Sequence, residues 1–308
     1  MSAVIGILNL KFGNQKMGKK NKKSKLSSPT MAELADRHVC YEEAVQCAEA
    51  EVDIIDSLFK KLRGRQANKL REDFCATANT SCEWVKRRDT NTAICFDIDQ
   101  EVLAWSQKNK IEKLTTEQTS RVKLIKEDVL NAKNKPVDIV LAMNFSYWVF
   151  KERKLMIEYF KKVRNSLVDD GIFFADAYGG YEAFQELKEK TKNDGFTYIW
   201  DQYKYDPITG SAVNYIHFKF KDGSKIKRAF TYEWRVWTLP ELLEMLTEAG
   251  FKPTVYWEQA DEDGEGNGEF LPQTEGEADA GWIAYIVSQK DAGWIAYIVS
   301  RLTSFLKK

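Results

Sequence analysis

Four acidic residues stand where a nucleoside-bearing ligand would be held. Glu72 lies at the end of KLREDFC, Asp97 at the end of NTAICFDID, and Glu127 and Asp128 near the end of RVKLIKEDVL. Open α/β sheets bind their ligands at the carboxyl ends of strands. An acid about 20 residues after the first turn commonly takes hydrogen bonds from ribose hydroxyls, which suits Asp97. Asp128 is placed to meet an adenine amino group. A fourth apolar segment ends in AMNFSYW (142–148), which would sit over the reacting centre. One acid at a strand end is more often a cap or turn residue than a ligand. The ordered set at this spacing carries the weight.

These residues need a sheet to position them. Short strands are expected at 69–75, 91–99, 121–130, 137–150 and 171–178, alternating with helices at 80–88, 101–111 and 152–168. Asn79 or Thr80 is expected to cap the first of these helices. Strand–helix alternation implies a parallel, doubly wound sheet. VDIVLAMNFSYWVF is apolar throughout, as in a strand covered on both faces. Residues 31–62 show helical spacing and predict an N-terminal helical cap. YEAFQELKEKTK (181–192) reads as a further helix. Residues 196–238 alternate aromatic and polar side chains, with turn signals at DPITG and KDGS, and predict an inserted antiparallel meander of about three strands. A helix at 239–251 follows, with Pro240 in its first turn and Gly250 at its end. KPTVYWEQ and GWIAYIVS (281–288) are the last strands, and the acidic stretch between them reads as a loop.

Composition removes several classes. The chain has 308 residues with 46 basic and 46 acidic side chains, so it lacks the basic footprint of a dedicated nucleic-acid binder. KKNKKSK (19–25), within an arm over 1–29, is the one place where a nucleic acid or anionic surface would be held; a solubilising tail is the plainer reading. No apolar run is long enough to cross a membrane. Five cysteines, none in a C-x-x-C pair, fit a reduced, cytoplasmic setting and argue against a zinc site. DAGWIAYIVS occurs twice, at 279–288 and 291–300. One sheet slot holds one copy, so the second, in a tail over 289–308, must pair at an edge, hang off or compete.

LREDFCATANTSCEWV, FDIDQEVLAW, VLAMNFSYWVFKER, FFADAYGGYEAF and EWRVWTLPELLEMLTEAGF together resemble the class I S-adenosylmethionine-dependent methyltransferases. The nearest likeness is to a bacterial group with an REDFCGT(G/A)…SCEWV first motif. The resemblance covers roughly residues 30–288. It implies a Rossmann-like, seven-stranded, mostly parallel sheet with helices on both faces and S-adenosylmethionine as cofactor, but names no substrate; the aromatic meander could cover the acceptor like a lid, a concave site that suits a small molecule, and no metal is expected. By resemblance, Glu72 lies close to the methionine part of the cofactor, with Phe74, Cys75, Ala76, Thr77 and Ala78 forming the turn under it. Asp97 binds the ribose, Ile98 packs on the adenine, and Asp128 and Val129 frame the adenine edge. Met143 and Asn144 line the methyl-transfer side.

The superfamily pattern D-x-G-x-G-x-G has Phe74, Ala76 and Ala78 at its glycine places. A β-carbon there costs about 1–2 kcal/mol if the backbone is left-handed. Weakened cofactor binding is expected, and an inactive, scaffold-like relative is the rival reading. No G-x-G-x-x-G occurs, which disfavours a dinucleotide. No N/D-P-P-Y follows the fourth strand, which argues against the amino-methylating DNA and glutamine enzymes. A protein or RNA acceptor is the lesser option. Asn144, Tyr147 and Tyr178, at the ends of strands four and five, are the candidate catalytic residues. His38 and His217 read as structural or surface groups.

Overall fold

The computed structural model describes residues 28–260 and 266–290. The basic stretch 19–25 and the second DAGWIAYIVS copy lie outside the described residues. Three helices open the chain: α1 (Met31–Leu34), α2 (Arg37–Val45) and α3 (Ala48–Arg63). They replace the single predicted helix over 31–62. Thr30 makes a capping box with Glu33 and the Asp36 side chain caps α2, whereas α3 starts after Cys47 with no side-chain cap.

Strands β1 (Lys69–Asp73), β2 (Thr92–Asp97), β3 (Val122–Lys126), β4 (Val137–Ala142) and β5 (Leu167–Gly179) follow. Between them run α4 (Asn79–Arg87), α5 (Gln100–Asn109), α6 (Thr116–Ser120) and α7 (Arg153–Ser166). These five strands pair parallel in the order β3-β2-β1-β4-β5. All six residues of β4 are buried, as expected for a strand covered on both faces. One core joins α3, α4 and α5 to one face of the sheet through Val52, Val85, Leu103, Cys95 and Ile139. The other joins α7 and the later α8 (Leu239–Glu248) to the opposite face through Phe160, Leu246, Val140 and Phe173.

Between β5 and α8 stands a separate antiparallel sheet of β6 (Leu187–Lys192), β7 (Phe196–Tyr205), β8 (Ser211–Phe220) and β9 (Lys225–Arg235). The meander over 196–238 has three strands, β7 to β9, and β6 adds a fourth at its edge. The helix predicted over 181–192 is instead a 3₁₀ turn, Tyr181–Phe184, followed by β6. LKEKTK pairs along β7 from Leu187–Gln202 to Lys192–Thr197 and is exposed from Lys188 onward. Pairing overrides the helical propensity, and lysines suit the sheet's edge.

After α8 come β10 (Phe251–Ala260), β11 (Gly266–Gln273) and β12 (Trp282–Lys290). Thr238 caps α8 in a box with Glu241, Pro240 sits in its first turn, and Gly250 follows at φ 90°. β12 inserts antiparallel between β5 and β10. The large sheet has eight strands rather than seven, because part of the acidic segment forms β11 against β10. Its Phe270 packs on Tyr285 with ring centroids 4.4 Å apart, which gives the stretch an apolar anchor that its charge hides. Among the described residues, no helix is long and apolar enough to cross a membrane.

Candidate active site

The turn after β1 is held by backbone and carboxylate together. Cys75 N–H donates to the Phe96 carbonyl (3.0 Å), and Ala76 N–H donates to Asp97 Oδ2 (2.8 Å). Asp97 Oδ1 accepts from Asp99 N–H (2.9 Å). The turn is left-handed at Phe74 (φ 56°), Ala76 (φ 45°) and Ala78 (φ 53°). Those are the three places that the sequence resemblance matches to glycines. Ala78 is the N-cap of α4 and supplies no side-chain cap, so neither Asn79 nor Thr80 fills that role. Burial raises the Asp97 carboxyl to about 6, against its hydrogen bonds from Asp99 and Ala76.

A cleft of about 120 Å³ opens beside this turn, lined by Phe74, Asp97, Ile98, Asp128 and Val129 among others. Its charged walls are all acids: Asp97, Glu127 and Asp128. Ile98 is 49% exposed, an apolar side chain turned to solvent next to the acids. Thr77 is 2% exposed, and its hydroxyl has no partner among the described residues. Glu72 Oε2 accepts from both the backbone N–H (3.1 Å) and the hydroxyl of Ser81. Burial lifts the Glu72 carboxyl to about 8, opposed by the Ser81 hydroxyl and reinforced by the neighbouring Glu51. Glu51 in turn accepts from Thr80 Oγ1 (2.8 Å).

The N-terminal cap is pinned to this region. Gln46 accepts from Asn79 (3.3 Å), and Glu42 pairs with Lys110. On the far side, β4 ends in a second left-handed turn at Asn144 (φ 58°) and Phe145 (φ 59°). Asp176 of β5 takes both of their N–H groups, at 2.7 and 2.8 Å. Burial raises its carboxyl to about 7. Tyr178 stacks on Trp148 at 4.7 Å and meets Phe145 edge-on at 4.7 Å.

The chain has a methyltransferase fold. Its backbone superposes on an S-adenosylmethionine-dependent methyltransferase of Clostridium acetobutylicum with TM-score 0.59 and 16% identity, over 82% of this chain and 97% of that one. An amino pentose methyltransferase of Micromonospora echinaspora gives TM-score 0.59 and 12% identity over 82% and 95%. A sugar N-methyltransferase of Streptoalloteichus gives 0.57 and 13% over 90% and 99%. No protein-family model matches the chain, and no curated protein matches it in sequence.

Within the methyltransferase fold, the sequence-expected residues divide into groups. Phe74, Asp97, Ile98, Asp128 and Val129 meet in one cleft. Glu72, Cys75, Ala76, Thr77 and Ala78 form the adjoining strand end and turn, with Cys75 fully enclosed beside Cys95. Met143 is buried and Asn144 half-buried at the β4 turn. Tyr178 reaches a cavity wall. Tyr147 does not: it is 1% exposed, donates its hydroxyl to the Asp176 carbonyl (2.7 Å) and packs on Phe160. His38 packs between Trp105 and Phe230, and burial lowers it to about 4. His217 bonds Asp201 on the meander.

Asp176 and Glu51 escaped the sequence reading. A lone acid inside the apolar run GIFFADAY was a legible signal for Asp176. Glu51 sits among other acids of an amphipathic helix and gave none. A cavity of about 650 Å³ between the loop after β3 and the end of α7 shares Glu127 with the cleft and holds neither Asp176 nor Glu51.

Proposed function

We propose that the chain is a cytoplasmic S-adenosylmethionine-dependent methyltransferase acting on a small molecule. The observation that carries this reading is the backbone at Phe74, Ala76 and Ala78. Three side chains are held left-handed where glycine would be free to go, at about 1–2 kcal/mol each. A loop that keeps this shape against its own residue types keeps it for something bound.

The neighbouring groups suit S-adenosylmethionine. Acids alone charge the cleft, which disfavours a pyrophosphate and suits a nucleoside with a cationic sulfur. Asp97 keeps a free lone pair on each oxygen for ribose hydroxyls, and Ile98 offers an apolar face for a base. The unpartnered Thr77 hydroxyl lies in the turn that would face the amino-acid end. Bound S-adenosylmethionine supplies a methyl already activated for in-line attack, so positioning by Asp97, Glu72 and the Asn144–Phe145 turn is the chain's main contribution. The sugar and amino pentose methyltransferases of similar fold support a small-molecule acceptor.

The β-carbons of Ala76 and Ala78, where glycine would leave room for a ligand, favour a second reading, a fold-retaining protein that no longer binds cofactor. Calorimetric titration with S-adenosylhomocysteine separates the two. Saturable one-site binding, abolished by Asp97→Ala, is expected. No heat and no thermal stabilisation at millimolar ligand would sink the enzyme reading.

A further inference from the structure

We infer that the acceptor is an amine, recruited as its ammonium ion to a chamber between the meander, the carboxyl end of β5 and the amino end of β12; the ammonium loses its proton to solvent before the nitrogen lone pair attacks the methyl. This rests on the methyltransferase reading and names its substrate class.

A chamber of about 450 Å³ lies there, within the size range of small-molecule sites. Phe145 and Tyr178 line it, so it adjoins the turn that carries Asn144. Its other rings are Tyr198, Trp200 and Trp282. The rings are braced: Tyr178 stacks on Trp148, and Trp200 packs on Tyr232 (6.0 Å) and Trp234 (6.2 Å).

Charge gives the second clue. Glu182, Glu189 and Glu258 line the chamber, and among the described residues no lysine or arginine does. They come from the 3₁₀ turn, β6 and β10, so no single acidic run explains them. In a chain with equal numbers of acids and bases, composition does not explain the uniform sign either. Glu189 is the cross-strand partner of Trp200, which sets a carboxylate beside an aromatic ring. Aromatic faces plus carboxylates bind cations and repel anions.

The test uses tetramethylammonium as the cationic probe and neopentyl alcohol as its uncharged counterpart. Each is titrated into the full chain while tryptophan fluorescence is followed. Saturable binding of the cation at least tenfold tighter than of the alcohol is expected. Glu189→Gln with Glu258→Gln should weaken the cation about tenfold and leave the alcohol unchanged, with unaltered melting temperature. Equal binding of the two probes, no saturation by either, or an unaffected double variant overturns the inference. S-adenosylhomocysteine is titrated in parallel. If it binds and the cation preference is absent, only the acceptor assignment falls. If it fails to bind and the preference persists, the chamber stands and the methyltransferase reading falls.

Discussion

Two opposed effects meet at Ala76. Glycine there would relieve about 1–2 kcal/mol of left-handed strain but add about 0.5–1 kcal/mol of unfolded-chain entropy. Ala76→Gly is therefore expected to leave stability unchanged or raise it by about 1 kcal/mol, measured by urea unfolding. It should also tighten S-adenosylhomocysteine binding by calorimetry, because the backbone can then approach the ligand. The raised carboxyls set the pH behaviour. Asp97 must be ionised to accept ribose hydroxyls, so cofactor affinity should fall as pH drops through about 6. Stability runs the other way. Asp97, Asp176 and Glu72 hold protons in the folded chain up to about 6, 7 and 8, while the unfolded chain releases them near 4. The unfolded state binds fewer protons in that window, so stability declines as pH rises from 5 to 8. Melting curves across that range should show the decline, and Glu72→Gln should flatten its upper part.

Among the elements, β1 depends on a buried ion pair. Arg71 grips both oxygens of Asp73 at 2.7 and 3.0 Å, and Tyr159 of α7 donates to the same carboxylate at 2.9 Å. Both charged residues are almost fully buried. Asp73→Ala would strand the guanidinium and is expected to cost about 3–5 kcal/mol in chemical denaturation. The Gly179–Gly180 pair ending β5 makes a close-contact turn. A β-carbon on Gly179 would lie 2.2 Å from the Trp282 ring, and one on Gly180 (φ 100°) 2.3 Å from the Ala280 carbonyl. Gly180→Ala should lower the melting temperature by several degrees and disturb the neighbouring chamber, visible in Trp282 fluorescence.

At the scale of the molecule, the repeat becomes a question of one slot. Residues Trp282–Lys290 pair with β5 on one side and β10 on the other, so the first copy fills an interior position. Deleting residues 279–290 brings the identical second copy into the same register. The variant is expected to fold with the same circular dichroism spectrum. It should lose only about 1–2 kcal/mol, for the Arg63–Gln289 (2.7 Å) and Lys290–Leu167 (2.6 Å) contacts that the following Arg and Leu do not repeat. Failure to fold would show that position along the chain, and not the strand sequence alone, selects the first copy.

Local pattern determined much of this protein. Alternation of apolar strands and amphipathic helices specified the parallel sheet, because periodicity follows directly from which face is buried. Acids at strand ends marked Asp97 and Asp128, because the carboxyl edge is where chain order brings loops together. Other features depended on partners distant in sequence. LKEKTK became β6 and GNGEFLPQ became β11 only because β7 and β10 offered unpaired edges. Tyr147 turned inward because the Asp176 carbonyl lay beneath it. The acid-lined aromatic chamber draws on the turn after β5, the meander and the last strands. Such a site has no local signature, since spacing along the chain does not encode which loops tertiary packing makes neighbours.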